Sequence, residues 1–241
     1  DMKILLFILC FIPVFGCQTQ RAQPPNIIIV FIDDMGWADV GFNGGTHVST
    51  PQLDQMAREG LVLTDFYVAQ PVCSASRSAL LTGCYPNRIG ITGALNPHAT
   101  TGIHEDEVTL AELCKSKGYA TAIFGKWHLG HHPKFLPTNH GFDTFQGIPY
   151  SNDMWPMHPE ARKGTYPPLP YFKDDVQVGE NPDQRQFTGD FTKLTIDFIK
   201  AHKNEPFFIY VPHPMVHVPL FCSEEWNGKT GLGLYADVVG E

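Results

Sequence analysis

The chain has 241 residues, with 17 lysines and arginines against 25 aspartates and glutamates, a formal net charge of −8. Hydrophobic residues make up 43% and charged ones 17%, which excludes a disordered or collagen-like polypeptide and leaves material for a sizeable core. The acidic balance, with a pI near 5.7, lacks the basic footprint of a general nucleic-acid binder. The 22 glycines and 20 prolines suit a loop-built enzyme site better than a helical bundle.

Lys3 precedes a mostly apolar run from Ile4 to Gly16. One basic residue and an apolar stretch too short to span a bilayer predict a secretory signal peptide over residues 1–17; a buried N-terminal element is the alternative. Gly16-Cys17 resembles a bacterial lipoprotein cleavage site, which would place a lipid on Cys17 and the protein in the periplasm or on the cell surface. Of the six cysteines, Cys10 and Cys17 belong to this leader. Cys73, Cys84, Cys114 and Cys222 show no CxxC spacing and so no zinc-ribbon or thioredoxin-type motif.

Beyond the leader, Asn26–Ile32 is a continuous β-branched run and predicts a strand buried on both faces. Thr50-Pro51 opens a helix closed by Gly60. Leu61–Phe66 reads as a second strand and Cys73–Leu81 as a short helix. Thr109–Lys117 is an amphipathic helix closed by Gly118, and Tyr119–Phe124 is a strand. Phe191, Leu194, Phe198 and Ile199 mark one face of a helix near 190–202. Pro206–Val211 is another buried strand, and a last helix begins at Tyr235. Residues 133–186, rich in Pro, Gly and aromatics, are expected to form long surface loops. Strands alternating with helices predict an α/β layered fold with a mainly parallel sheet.

The polar residues fall at strand ends, where open α/β sheets bind ligands. Asp33-Asp34 follows the first strand. Such a carboxylate pair needs a cation or donors to offset its repulsion, and oxygen ligands suit Ca²⁺ or Mg²⁺; a capping or loop pair is the alternative. Cys73 stands at a helix N-terminus, which favours its thiolate, and Arg77 lies one turn later on the same face. That pairing suits an anion-binding nucleophile site, or a structural cysteine beside a surface arginine. In Gly125-Lys126-Trp127-His128-Leu129-Gly130, an extended backbone would point Lys126 and His128 the same way. Lysine can hold an anionic oxygen and histidine can move a proton, unless the segment is a solvated loop. His213 and His217 have zinc-helix spacing, but Pro214 and the missing Glu argue against H-E-x-x-H.

Together these segments resemble the sulfatase family. Cys73-x-Ala75-x-Arg77 with Leu81-Thr82-Gly83 is similar to its first signature, and Gly125–Gly130 to its second. Asp33-Asp34-Met35-Gly36-Trp37 and the His217-x-Pro219 segment also match. Gly147-Ile148-Pro149-Tyr150-Ser151 is similar to the arylsulfatase A branch, and His140-Gly141-Phe142-Asp143 to that branch and to the N-acetylgalactosamine-6-sulfatase one. The resemblance runs from about Pro25 onward, so residues 24–241 are expected to be the N-terminal part of a sulfatase catalytic domain.

The resemblance implies an alkaline-phosphatase-like α/β fold and sulfate-ester hydrolysis. Cys73 would be oxidised to formylglycine by a formylglycine-generating or radical-type maturation enzyme. One hydroxyl of the hydrated aldehyde would attack sulfur, and the second would then expel sulfate. Asp33, Asp34 and modified Cys73 would ligate Ca²⁺. Arg77 and Lys126 would hold the nucleophile and metal region, and His128 would assist the second hydroxyl. His217 would serve the leaving oxygen, and Ser151 would contact sulfate. The expected substrate is a sulfated saccharide or an aryl sulfate ester. The family's second metal pair, an Asp-Asn step, is not in this chain, nor is a later lysine near the leaving group. The chain is therefore expected to be inactive by itself. Cys84 stands where arginine usually follows Leu-Thr-Gly. Ala75 replaces the proline of animal sulfatases, a form that resembles bacterial members. A metal-dependent phosphatase or phosphodiesterase of the same fold is the alternative enzyme reading, and an inactive truncated protein is another.

Overall fold

The computed structural model describes residues 24–241; the expected signal peptide over 1–17, with Cys17, lies outside the described residues. The architecture is a six-stranded sheet with helices on both faces. In chain order the strands are β1 (Ile27–Ile32), β2 (Ala120–Lys126), β3 (Thr144–Ile148), β4 (Pro170–Lys173), β5 (Val176–Glu180) and β6 (Phe207–His213). The helices are α1 (Pro51–Glu59), α2 (Cys73–Thr82), α3 (Leu110–Ser116), α4 (Phe187–Ala201) and α5 (Leu234–Gly240). The sheet order is β1-β6-β2-β3-β4-β5. The first four are mutually parallel, and β4 and β5 continue antiparallel from β3.

Strand β6 shows why the layers form. Its side chains alternate between two cores because successive residues of a strand point to opposite faces. Phe207, Ile209 and Val211 join Phe124, Phe187 and Phe191 on the face covered by α4. Phe208 and Tyr210 join Ile123, Phe142, Phe145 and Trp127 on the face covered by α2 and α3. Burying each such side chain contributes about 1.5–3 kcal/mol. The capping box of α3 is complete. Thr109 Oγ1 accepts from Glu112 N at 3.2 Å, and Glu112 Oε2 accepts from Thr109 N at 2.6 Å. The same hydroxyl donates to His140 O at 2.8 Å, tying the helix start to the loop before β3.

The fold departs from the sequence expectation in three places. Strand β1 is the edge of the described sheet, and Ile28 and Val30 on it are exposed; a β-branched run had implied cover on both faces. Leu61–Phe66 is not a strand, and Leu61, Leu63 and Phe66 are exposed. The 133–186 segment is not all loop: it contains β3, β4 and β5, and the Phe145 and Ile148 side chains of β3 are fully buried.

Candidate active site

Because β1, β6, β2 and β3 run parallel, their carboxyl ends open on one edge of the sheet. Asp33 directly follows β1, Lys126 closes β2, Ser151 lies three residues past β3 and His217 four past β6. This is how residues 33, 126, 151 and 217 come together from four separate segments. Strand β2 runs two residues further than expected, so Lys126 is a strand residue.

The centre is Asp33. It is buried, and Lys126 Nζ donates to its Oδ2. Arg77 Nη2 lies 3.3 Å from the same oxygen. Lys126 Nζ also donates to Ser151 Oγ at 2.8 Å. Burial pushes the Asp33 carboxyl up, but the charges of Lys126 and Arg77 and the lysine hydrogen bond pull it to about 2. Burial of two cations and one carboxylate is tolerable only because they face each other. No described residue donates to Asp33 Oδ1, which leaves one carboxylate oxygen open.

Arg77 and Cys73 enter from α2. Arg77 is fully buried, so the alternative of a surface arginine does not hold. Its Nη1 donates to the Lys126 carbonyl at 2.8 Å, and its guanidinium lies 5.4 Å from the centroid of the Phe31 ring. Phe31 packs against Tyr210, whose buried phenol is pushed up to about 12. Cys73 opens the helix and is half-buried. His217 is also half-buried; its Nε2 is 3.6 Å from Asp34 Oδ2 and its Nδ1 is 2.5 Å from the Val218 carbonyl. Burial pushes this imidazole down, but the Cys73 thiol, Asp33 and the Val218 carbonyl outweigh it and the net direction is up.

His128 is fully buried, which rules out a solvated loop for Lys126-Trp127-His128. Its backbone is not extended, since φ is 59°, so the expected parallel orientation of Lys126 and His128 does not follow from strand alternation. Trp127 between them is locked in the core by Nε1 donating to Phe135 O at 2.8 Å. The His128 Nε2 atom lies 2.8 Å from Leu95 O, and its Nδ1 has no partner among the described residues. Burial, then Lys126 and Arg77, hold this imidazole well below its ordinary range. The Leu95 carbonyl, the Phe31–Tyr210 ring pair and Ser74 escape sequence reasoning. Only Ser74 carries a local signal, as the residue after Cys73.

The donor set suits a hard cation in type, through the open Asp33 oxygen and the exposed Asp34 carboxylate beside it in sequence. It is short in number. Among the described residues, no group of three or more His, Cys, Asp or Glu side chains could hold a metal ion. Cys73, Cys84, Cys114 and Cys222 form no disulfide among the described residues, and no described helix is long and apolar enough to cross a membrane.

The Sulfatase family model matches residues 25–235. N-acetylgalactosamine-6-sulfatase of Mus musculus is 39% identical over 236 residues, covering 91% of this chain and 45% of that protein. Arylsulfatase A of Bos taurus is 39% identical over 237 residues, covering 91% and 46%. A solved structure from work on the metabolism of multiple glycosaminoglycans by Bacteroides thetaiotaomicron superimposes with a TM-score of 0.76 at 30% identity, over 90% of this chain and 56% of that one. The chain thus spans about half the length of the curated relatives it matches.

Proposed function

The chain belongs to the sulfatase family, with that family's alkaline-phosphatase-like α/β fold, and from that premise we propose that the protein hydrolyses sulfate esters of saccharides. The observation that carries the reading is the buried Asp33–Lys126–Arg77 cluster beside Ser151, with Cys73 at the start of α2 and His217 beside Asp34 at its rim. Two buried cations and a hydroxyl form a site for a tetrahedral anion of one or two charges.

In this reading Lys126 and Ser151 hold a sulfate oxygen, and Arg77 keeps the Lys126 segment and Asp33 in place through two contacts. His217, whose proton is retained to higher pH than in free histidine, gives it to the departing alcohol oxygen. His128, neutral and with an open Nδ1, takes a proton inside the pocket. Asp33, Asp34 and the oxygen of a modified residue 73 would supply part of a Ca²⁺ shell, an ion that fits hard-oxygen donors better than a thiol- or imidazole-seeking one does. Bound calcium would polarise a sulfate oxygen, and formylglycine made from Cys73 by a maturation enzyme would supply the attacking hydroxyl. A sulfated amino sugar is the leading substrate class. It rests on the name of the mouse relative and the glycosaminoglycan setting of the solved neighbour. Export by the 1–17 leader, with a lipid on Cys17, belongs to the same reading.

Mass spectrometry of the Cys73 peptide from protein made in its own host tests the nucleophile. Replacement of the thiol by an aldehyde oxygen is expected; an unmodified thiol overturns it. In a version extended to the full length of the sulfatase relatives, turnover of an aryl sulfate should exceed that of the matching phosphate and vanish in Cys73→Ala. Preference for the phosphate would favour a phosphatase instead.

A further inference from the structure

We infer that Ser74 is a positioning residue that fixes the tautomer of His128 through the backbone of Leu95. The hydrogen-bond chain is short and enclosed. Ser74 is fully buried in the first turn of α2. Its Oγ accepts from Leu95 N at 3.0 Å, and the carbonyl of that same Leu95 meets His128 Nε2 at 2.8 Å. Downstream, the chain turns at once at the next residue, where Ala99 N donates to Asn96 O at 2.9 Å and His98 N to Asn96 Oδ1 at 2.8 Å.

The direction of the proton follows from chemistry. A carbonyl oxygen can only accept, so Nε2 must be the donor and carries the hydrogen. The ring is held neutral by its surroundings, so Nδ1 is left as a bare lone pair. That atom is buried and has no partner among the described residues. An imidazole set as a base at Nδ1 needs its other nitrogen committed elsewhere, and the Leu95 carbonyl commits it. Moreover, His128 sits at φ 59°, a backbone conformation uncommon outside glycine. A ring delivered from such a backbone is oriented by its anchor, not by strand geometry. Ser74 holds that anchor from the helix that also presents Cys73, so nucleophile and base are registered by consecutive residues of one turn.

The inference deepens the proposed function and rests on its assignment of His128 as a base. Its test reads the tautomer directly. In the full chain with ¹⁵N-labelled histidine, His128 should show a protonated Nε2 and an unprotonated Nδ1 at neutral pH. Ser74→Ala should move the ring toward a mixed or Nδ1–H population. In a version extended to the full length of the sulfatase relatives it should also lower aryl-sulfate kcat by about five- to tenfold, the scale of one lost hydrogen bond, with KM little changed. Ser74→Thr, which keeps the hydroxyl, should restore both. A wild-type ring protonated on Nδ1 overturns the inference, whether or not any variant folds. So does a Ser74→Ala chain that is slower with its tautomer unchanged, because Ser74 then acts by another route. A tautomer that shifts as expected, in a protein whose extended version cleaves no sulfate ester, sinks the sulfatase reading and leaves the positioning role standing.

Discussion

At the scale of single residues, the site depends on one carboxylate shared by two buried cations. Arg77 makes two different contacts, to the Lys126 carbonyl and to Asp33, and only a forked guanidinium can make both. Arg77→Lys is therefore not conservative here. It is expected to cost about 3–5 kcal/mol of stability, in the range for breaking a buried charge network. It should also lower sulfate-ester turnover by ~10²-fold or more. Urea denaturation and steady-state kinetics check the two halves separately, and turnover within threefold of wild type would contradict the role. Acid sensitivity belongs to the same scale. His213, at the end of β6 against Phe191, is pushed down to about 4 by burial, from an ordinary 6.5. Between those values the unfolded chain binds a proton that the folded chain refuses, so stability falls as pH drops from 6.5 to 4, by roughly 3 kcal/mol. His128 acts in the same direction. His217, raised by its partners, acts in the opposite one, so the comparison with a variant isolates His213. His213→Gln should flatten the fall in Tm across pH 6.5–4. Asp33 adds a separate loss below about 3.8, as pH falls toward its folded value of about 2.

At the scale of elements, close backbone approach sets which residues the strands accept. Gly125 on β2 and Gly147 on β3 are register partners with φ of 138° and 157°. A Cβ on Gly147 would strike the Gly125 carbonyl, and one on Gly125 the Pro212 carbonyl of β6. Gly147→Ala is thus expected to abolish folding or cost more than about 3 kcal/mol, since backbone carbonyls cannot step aside as a side chain can. Circular dichroism melts of soluble protein would show it. Thr109→Ala removes both the α3 cap and the tie to His140 O, with an expected cost of about 1–2 kcal/mol. These elements also show what the sequence makes readable. Helices α1, α2, α3 and α4 announce themselves by Pro at the first turn, a capping threonine or a 3.6-residue apolar face, and β6 by an unbroken apolar run. Strand β3 escaped because Thr144-Phe145-Gln146-Gly147-Ile148 is short and broken by Gln and Gly. The β4–β5 hairpin escaped because its alternation is weak and Val176 and Val178 face solvent. Leu61–Phe66 misled in the other direction, being apolar in sequence and exposed in space. Asp33, Lys126 and His217 were legible as strand-end residues, whereas Ser151 was reached only through the sulfatase resemblance, because the strand it follows was not. The tie through Ser74 and Leu95 was not, because it depends on a loop conformation that no local pattern encodes.

At the scale of the whole molecule, four parallel strand ends deliver ample positive charge to the site and few metal ligands. Lys126 and Arg77 already neutralise Asp33, so a cation arriving there gains less from that carboxylate than from a free one. Asp34 remains, exposed and close to His217. Affinity for Ca²⁺ rises with the number and charge of its oxygen ligands, six to eight in a full shell. The 241-residue chain is accordingly expected to bind Ca²⁺ with a Kd of ~10⁻⁴ M or weaker, at the low-affinity end of protein calcium sites. Its turnover of aryl sulfate should be slight, because at such occupancy calcium adds little to what Lys126 and Ser151 do at the sulfate oxygen. Isothermal titration with CaCl₂ measures the first, and Asp34→Asn should remove what heat there is while leaving the melting temperature within about 2 °C, since an exposed loop carboxylate contributes little to stability. The same titration on a version extended to the full length of the sulfatase relatives should give binding at least tenfold tighter. If the 241-residue chain itself bound calcium below a micromolar, the described carboxylates would have to form a fuller cage than Asp33 and Asp34 provide, and the division of labour assigned to Lys126 and Arg77 would be wrong.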